Sequence, residues 1–381
     1  MIYLDNAATT FPKPQCMVDE IKKCINNYCG NPGRSSHKLS IKSAEKIFDT
    51  RVLLADLFSA EPENVVFTLN TTYALNLAIK SLLKPNSHVL ISNIEHNSVY
   101  RPIYKLSSEN LCSFDIFDSS GTKEDILKSI NSLLKSNTSM LICSHVSNIG
   151  VRRLPIKEIG ELCKRNNIVF IVDAAQSAGI YEINIKDMNI NALCFPAHKG
   201  LYGPQGVGAV IFNNCEPIRS IIEGGTGINS KDTFMPDFLP EVLEAGTLPT
   251  PAIAGWYESL KWLKKISIEK IRNHEEDLYV VCKNMLETNE KIKLYTMNNY
   301  SGNTILFNIK NKAPSTISSL LDKYDICVRS GFHCSPLAHK LLNTNESGAI
   351  RISFSVFNTR NEIYEFYDRL KSIIRKKEIL I

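Results

Sequence analysis

Short apolar runs alternate with helical patterns between about residues 40 and 250. The runs are rich in β-branched residues and bounded by polar turns: "NVVFTL", "HVLISN", "SMLICSHV" and "IVFIVDAA". The segments between them, such as "TTYALNLAIKSLL" and "IKEIGELCKRNN", have the periodicity of helices. Strands that are apolar on both faces and alternate with helices predict a parallel sheet covered on both sides. Because such sheets bind ligands beyond the carboxyl ends of their strands, the residues that follow each run are the candidates for a site.

The pattern changes after Pro251. A long helical stretch, "IAGWYESLKWLKKISIEKIRNHEEDLYVVCKNML", leads into the strand-like run "NTILFNI" and a final amphipathic helix. Thr359 and Glu362 have the spacing of a capping box at the start of that helix. Its apolar stripe consists of Ile363, Phe366, Tyr367 and Leu370. We therefore predict a large domain over residues 15–255 and a smaller α+β domain over residues 256–381, to which about residues 1–14 also belong.

Composition and charge exclude several classes of protein. The 381 residues carry a formal net charge of +5 that is spread along the chain, which disfavours a nucleic-acid-binding protein. No apolar stretch approaches the roughly 18 residues of a membrane span, and the start "MIYLDNAATT" lacks the features of a secretory signal. The eleven scattered cysteines include no CxxC pair and indicate reduced thiols. We expect a cytoplasmic protein that binds neither membranes nor nucleic acid.

Two candidate residues follow the later strands. Lys199 lies in "FPAHKGLYGPQGVGAVIF", where the glycines leave room for a bulky group near the backbone; a surface lysine beside a hairpin is the alternative. Asp173 ends the most apolar run of the chain, where an ionised carboxylate needs a partner, and Gln176 follows it. A structural ion pair would satisfy Asp173, but so would a cationic ring nitrogen of a cofactor.

Two more candidates follow the earlier strands. Asn70, Thr71 and Thr72 stand between a strand and a helix, where free N–H groups and hydroxyls form a phosphate cradle; simple helix capping is the alternative. His96 follows the next strand, and its imidazole could stack on an aromatic ring or be a solvated loop histidine. Together the four features require a ligand with a phosphate, a protonated ring nitrogen, an aromatic face and a carbonyl group. Pyridoxal 5′-phosphate has all four.

The sequence also resembles a known family. The segments that carry the resemblance occur in order along the chain: "YLDNAATT", "TLNTTYALNLA", "EHNS", "HVSNIG", "VDAAQSAG", "HKGLYGPQG", "LEAGT" and "RSGFHCSP". They are similar to those of class V aminotransferase-like enzymes, in particular the branch of cysteine desulfurases and selenocysteine lyases. The resemblance covers essentially the whole chain. It implies pyridoxal 5′-phosphate, a homodimer, and fold type I with a mainly parallel seven-stranded sheet.

The resemblance also assigns roles to individual residues. It implies that Lys199 binds the cofactor covalently, that Asp173 holds the ring nitrogen protonated, and that His96 stacks on the ring. The further cofactor-binding residues would be Asn70, Thr71, Thr72, Asn148, Gln176, His198 and, reaching the phosphate of the neighbouring subunit, Thr247. The substrate-binding residues would be Ala8, His37, Asn148, Arg329, Arg351 and Asn358, with Arg351 as the clamp for the substrate carboxylate.

Two positions depart from the family pattern. The family usually has Ser or Thr, a phosphate donor, three residues before the lysine, and this chain has Pro196, which cannot donate. The family often has Gly where this chain has Asn70. From Pro196 we expect a weakly held cofactor.

The resemblance singles out Cys334 in "VRSGFHCSPLAHK" among the eleven cysteines. On its own it could be a buried thiol, whereas a zinc ligand is disfavoured because the nearby Cys and His residues lack paired-ligand spacing. The resemblance makes it the nucleophile that takes sulfur from L-cysteine as a persulfide, with cationic Arg329 or His333 favouring the thiolate. Its loop is short, which suggests that a sulfur-acceptor protein must come to the pocket.

Other activities remain compatible with the sequence. They are a selenocysteine lyase acting on L-selenocysteine, a class V aminotransferase for another small amino acid, and a non-enzymatic sulfur-carrier scaffold. Iron–sulfur cluster assembly, thionucleoside synthesis and selenium metabolism are the pathways that such an enzyme would serve.

Overall fold

The computed structural model of the protein describes residues 1–33, 36–215, 218–296 and 302–375. Within these ranges the strands are β1 (Ile2–Tyr3), β2 (Val65–Thr68), β3 (Ser87–Ser92), β4 (Cys112–Phe117), β5 (Thr138–Ser144), β6 (Val169–Asp173), β7 (Ala192–Pro196), β8 (Gly208–Phe212), β9 (Ile292–Tyr295), β10 (Thr304–Ile309), β11 (Ile326–Cys327), β12 (Arg329–Gly331) and β13 (Ala349–Ser353). The helices are α1 (Gln15–Asn27), α2 (Lys38–Phe58), α3 (Thr71–Leu82), α4 (Asn97–Ser108), α5 (Lys123–Leu133), α6 (Ile156–Arg165), α7 (Thr250–Ile266), α8 (Ile268–Glu287), α9 (Pro314–Asp322), α10 (Pro336–Leu341) and α11 (Arg360–Arg375).

The large domain is built on a seven-stranded sheet with the order β2-β8-β7-β6-β5-β3-β4. Its pairs are parallel except where β8 runs antiparallel to β2 and β7. One face packs against α3 and α4, and the other against α2, α5, α6 and α7. The strands are therefore covered on both faces, which explains why every residue of β2, β3 and β7 is buried. The prediction of a mainly parallel sheet covered on both sides is confirmed.

The smaller part of the fold has a four-stranded antiparallel sheet in the order β12-β13-β10-β9. Helices α8, α9 and α11 pack with it around a second apolar core. Strand β1 pairs in parallel with β11, which places the start of the chain beside this smaller sheet. The boundaries at residues 15–255 and 256–381 stay predictions, and residues 376–381 lie outside the described ranges.

The long helical stretch after Pro251 is two helices instead of one. Ser267 takes a left-handed backbone conformation, with φ of 85°, and separates α7 from α8. No glycine or proline marks this break in the sequence. The capping box predicted for α11 is present, since Thr359 N–H donates to Glu362 Oε2 at 2.7 Å and Glu362 N–H donates to Thr359 Oγ1 at 3.3 Å.

No helix in the described ranges is both long and apolar enough to cross a membrane.

Candidate active site

A cavity of about 220 Å³ opens at the carboxyl ends of the parallel strands, facing the smaller domain. A single water needs only about 10–15 Å³, so the cavity is large enough for an organic group. Five strand-end segments of the large domain contribute Asn70, Thr71, Thr72, His96, Ser98, Ser144, Val146, Asn148, Asp173, Ala175, Gln176, His198 and Lys199. The remaining lining residues are Ala7, Ala8, Arg329, His333, Cys334 and Arg351. The structure thus brings together most of the residues that the sequence singled out, although they span over 300 positions.

Lys199 and Asp173 provide the main charges of the large-domain side. Burial lowers the pKa of Lys199 to about 8, and the positive charge of Arg351 adds to this effect. Burial raises the pKa of Asp173, while a hydrogen bond from the Ala175 N–H, 2.9 Å to Oδ1, and the charge of Lys199 act in the opposite direction. A lysine with a pKa near 8 has an appreciable neutral fraction at pH 7, and the neutral amine is the form that can act as a nucleophile or base.

The amino end of α3 forms the part of the cavity suited to an anion. Asn70 caps this helix, because its Oδ1 accepts a hydrogen bond from Tyr73 N–H at 3.0 Å. The Asn70 amide group is left to donate elsewhere. The hydroxyl of Thr72 lies 2.7 Å from that of Ser98. Among the described residues, no group pairs with the buried Nδ1 of His198. Free donors at a helix N-terminus are the usual elements of a phosphate site.

Pro196 does not line the cavity. It ends β7 and pairs with Gly208 of β8. A Cβ atom added at Gly208 would lie 3.1 Å from Cα of Asn70, so the Asn70 backbone passes close to this pair. The two positions that depart from the family pattern therefore both lie next to Gly208.

His96 is a neutral imidazole in a fixed orientation. Burial, together with the charges of Lys199 and Arg329, lowers its pKa to about 4. Its Nδ1 accepts a hydrogen bond from Ser98 N–H at 3.1 Å, so the ring proton resides on Nε2. His96 in this way caps α4 and presents an uncharged ring to the cavity.

Glu95 lies behind this wall and was not anticipated from the sequence. It is fully buried and accepts hydrogen bonds from Ser92 Oγ, from Ser144 N–H at 2.8 Å and from Ser144 Oγ at 2.9 Å. Burial raises its pKa to about 8, with a smaller contribution from the negative charge of Asp173. When Glu95 is protonated, Asp173 is the acidic group that can carry a negative charge on this side of the cavity.

Arg351 provides a site for a carboxylate on the smaller-domain side. Its guanidinium donates to Asp5 Oδ1 at 2.7 Å and to the carbonyl of Asn148 at 2.9 Å. Its Nε is buried, and no described residue accepts a hydrogen bond from it. Arg329 lines the same cavity, and the described part of the chain offers its side chain no hydrogen-bond or ion-pair partner. The two guanidinium groups are thus available to an anionic ligand. Asp5, which balances the charge of Arg351, was not predicted as a site residue.

The loop that carries Cys334 is held in place from both sides. Asn148 Nδ2 donates to the His333 carbonyl at 2.6 Å and Asn97 N–H donates to the Cys334 carbonyl at 2.8 Å, while Ser335 Oγ donates to Asn148 Oδ1. His333 and Cys334 have φ values of 51° and 57°. A left-handed conformation costs a residue other than glycine roughly 1–2 kcal/mol, so these tertiary hydrogen bonds stabilise a strained turn. The thiol of Cys334 is exposed.

His333 does not have the charge that the sequence suggested. It is buried, and burial, with the nearby charge of Arg351, lowers its pKa to about 2. Its Nδ1 lies 3.2 Å from Nε2 of His339, whose Nδ1 is 2.7 Å from Thr344 Oγ1. The prediction that His333 provides a positive charge for the thiolate was wrong. Arg329 remains the cation that can do so.

Three predicted site residues lie outside the cavity of the single chain. Asn358 is buried and binds the chain itself: Nδ2 donates to the Tyr3 carbonyl at 3.0 Å and Oδ1 accepts from Ser355 N–H at 2.9 Å. Its role in substrate binding stays a prediction. His37 is exposed and caps α2 by accepting from Ser40 N–H at 3.3 Å. Thr247 is also exposed, with Oγ1 3.5 Å from Nδ2 of Asn31.

The N-terminal segment closes the floor of the cavity. Thr10 N–H and Lys13 Nζ donate to the carbonyl of His198 at 3.0 Å and 2.7 Å. Gln176 Nε2 donates to the Ala7 carbonyl at 3.0 Å. Burial lowers the pKa of Lys13 to about 7. The segment therefore fixes the peptide that precedes Lys199.

Known proteins are similar to this chain over nearly its whole length. Residues 2–366 match the family model of class V aminotransferases. A probable cysteine desulfurase of Pyrococcus abyssi is 31% identical over 390 residues, which cover 98% of this chain and 94% of that relative. A probable cysteine desulfurase of Borreliella burgdorferi is 31% identical over 397 residues, covering 99% and 92%. The apo structure of a cysteine desulfurase from Thermococcus onnurineus NA1 matches with a TM-score of 0.88 and 27% identity, covering 98% and 94% of the two chains.

Proposed function

The chain belongs to the class V aminotransferase family, and we propose that it is a pyridoxal 5′-phosphate-dependent cysteine desulfurase that receives sulfur on Cys334. The net reaction converts L-cysteine and the Cys334 thiol into L-alanine and a Cys334 persulfide. Its mainly parallel seven-stranded sheet is the fold type I architecture that the resemblance implied.

The residues of the cavity fit the cofactor. The Nδ1 of His198, which has no partner among the described residues, and the donors at the start of α3 suit the phosphate. Asp173 suits a protonated ring nitrogen, and Lys199 suits the aldehyde. We further propose that the Asn70 amide replaces the phosphate donor that Pro196 lacks, because Asn70 lines the cavity at the start of α3 and both positions lie next to Gly208. When bound, pyridoxal phosphate acidifies the Cα–H bond of an amino acid joined to it.

The chain's own residues then act on the substrate. The buried Arg351 and the neighbouring Arg329 bind its carboxylate. Lys199, which is largely desolvated, takes the proton from Cα at its Nζ. Cys334 Sγ forms a bond to the substrate sulfur while the Cβ–S bond breaks, and the remaining three-carbon fragment is protonated to alanine.

One observation carries this proposal above the others. Lys199, Arg351 and an exposed cysteine line one cavity. An aminotransferase has no need of a thiol at that place, and a carrier scaffold has no need of a lysine with a lowered pKa. We further propose that the enzyme passes the sulfur to an acceptor protein. Because its cysteines are free thiols, we also propose that it works in the cytoplasm.

We also propose a homodimer. Thr247 and His37 are exposed in the single chain, and Thr247 contacts Asn31 while Ser40, in the first turn after His37, donates to the Asn31 carbonyl at 2.7 Å. The two predicted residues therefore lie on one face of the chain. Phe234, 88% exposed, lies in the segment that leads to Thr247 and offers apolar surface to a second copy.

Mass spectrometry of the holoenzyme after incubation with L-cysteine tests the function. We expect one added sulfur on Cys334 and an equal amount of alanine. Cys334→Ser should abolish both, whereas Cys29→Ser, which removes the other exposed thiol, should leave both unchanged. A persulfide on another cysteine would refute the proposal. Alanine release by the parent enzyme from L-selenocysteine but not from L-cysteine would instead identify a selenocysteine lyase.

A further inference from the structure

Cys334 lines two concave surfaces at once. One is the cavity already described, and the second is an open groove of about 470 Å³ between α3 and α4, which we call the outer groove. The two share Thr72, His96, Ser98 and Cys334. The thiol therefore stands where the cavity meets the protein surface.

The outer groove has a positive charge. Lys80 and Arg101 are exposed along it, and within the described ranges neither forms an ion pair. Lys105 pairs with Glu109, the acidic residue that lines the groove, with 2.5 Å between Nζ and Oε1. The positive charge extends to the thiol, since Arg101 is close enough to contribute to the lowered pKa of His96.

The position of the thiol cannot change much, because Asn148 and Asn97 hold the carbonyls of His333 and Cys334. A sulfur acceptor must then come to Cys334, and the outer groove is an open surface that begins at the thiol. Its volume is in the range of sites for small ligands or short segments of chain. Lys80 and Arg101, which no described residue pairs with, favour a segment with negative charge.

We propose that the outer groove docks the sulfur acceptor, and that this acceptor is a protein segment whose thiol is flanked by acidic side chains. The inference rests on the proposed function. The acceptor thiolate attacks the terminal sulfur of the Cys334 persulfide, a new S–S bond forms, and Cys334 leaves as a thiolate. The proton of the acceptor thiol is released as it ionises, so the exchange requires no oxidant or reductant.

Three synthetic cysteine peptides, with acidic, neutral or lysine residues around the thiol, test the proposal. The holoenzyme is first loaded with sulfur from L-cysteine, and transfer to each peptide is followed by mass spectrometry. We expect transfer to the acidic peptide to be the fastest and to slow with added salt. The double variant K80E/R101E should reduce that rate at least about tenfold while leaving sulfur transfer to dithiothreitol unchanged.

A matched control places the same charge change elsewhere. K128E/R165E alters one exposed lysine and one exposed arginine on α5 and α6, outside the groove, and should transfer sulfur to the acidic peptide at the parent rate. Equal rates for the acidic and lysine peptides, or no effect of K80E/R101E, would overturn the proposal. So would a loss of self-association in sedimentation experiments on K80E/R101E, since the groove would then belong to an interface between copies.

A second measurement separates this proposal from the proposed function. In a Cys29→Ser background, Cys334 is converted to a mixed disulfide with thionitrobenzoate, and release of the coloured thiol by each peptide is followed. The same order of rates and the same loss in K80E/R101E are expected even if L-cysteine never loads Cys334. A rate independent of peptide charge would overturn the docking proposal on its own.

Discussion

Replacing Glu95 by glutamine removes a buried acid whose charge depends on pH near neutrality. Glu95 is fully buried among Ser92 and Ser144, and burial raises its pKa to about 8 from the 4.5 of an exposed glutamate. Glutamine keeps the shape, accepts the hydrogen bonds of Ser92 Oγ and Ser144 N–H, and can donate to Ser144 Oγ. The substitution therefore imitates the protonated state at every pH.

The magnitude follows from proton linkage. Between about pH 4.5 and 8 the folded protein holds a proton on Glu95 and the unfolded chain does not. Because the pKa of Glu95 is higher in the folded protein, its contribution to the free energy of unfolding is largest below pH 4.5. This contribution is lost as the pH rises toward 8. The loss is about 1.4 kcal/mol per pH unit, or about 2.7 kcal/mol between pH 5.5 and 7.5. Burial also raises the pKa of Glu275 to about 8, but its equal contribution cancels when variant and parent are compared.

Urea unfolding at several pH values, at a fixed excess of pyridoxal phosphate, measures the effect. The free energy of unfolding of Glu95→Gln minus that of the parent should rise by about 2.7 kcal/mol from pH 5.5 to 7.5. Glu161→Gln, an exposed position on α6, is the control and should show a difference independent of pH. A flat difference for Glu95→Gln as well would refute the reasoning, because Glu95 would then be ionised throughout.

The other predictions concern the groups that bind cofactor and substrate. Asn70→Gly preserves most of the helix cap, so a drop of about fivefold in pyridoxal phosphate affinity, measured by fluorescence titration, would report the lost amide donor, and an unchanged affinity would contradict that role. Asp5→Asn leaves the buried Arg351 without its counter-ion; we expect about 2 to 3 kcal/mol less stability in urea and a higher KM for cysteine, and a fully stable variant would argue against the pair. Because burial lowers the pKa of Lys199 to about 8, the rate at which the cofactor-free protein takes up pyridoxal phosphate should reach half its maximum near pH 8. Half-maximal uptake near pH 10 would show that the lysine is not desolvated.

Much of the architecture could be predicted because its signals are local. Runs such as "IVFIVDAA" are apolar on both faces because β6 lies between α-helical layers, and the capping box of α11 is formed by residues three positions apart. The break at Ser267 could not be predicted, since the apolar period continues through it and only the packing of α7 and α8 requires the left-handed turn.

Some residues of the candidate site could likewise be predicted from the sequence, and others could not. Asp173 and Lys199 follow recognisable strands, so the rule for parallel sheets was sufficient to bring them together. Glu95 and Asp5 escaped notice because their roles depend on Ser144 and Arg351, which are distant in sequence. The charge of His333 was misjudged for a related reason: "GFHCSP" does not show that its imidazole is buried beside Arg351.

The N-terminal segment makes the site dependent on both ends of the chain. Strand β1 pairs with β11, Asp5 pairs with Arg351, and Lys13 holds the carbonyl before Lys199. At about 5–20 residues per second, on the order of 20–70 s separate the synthesis of β1 from that of β11 and β13. The residues of β1 must therefore wait for strands that are synthesised more than 300 positions later, and the cavity is completed only after those strands have formed. We expect nascent chains that stop before residue 326 to have a folded sheet with an unfinished site.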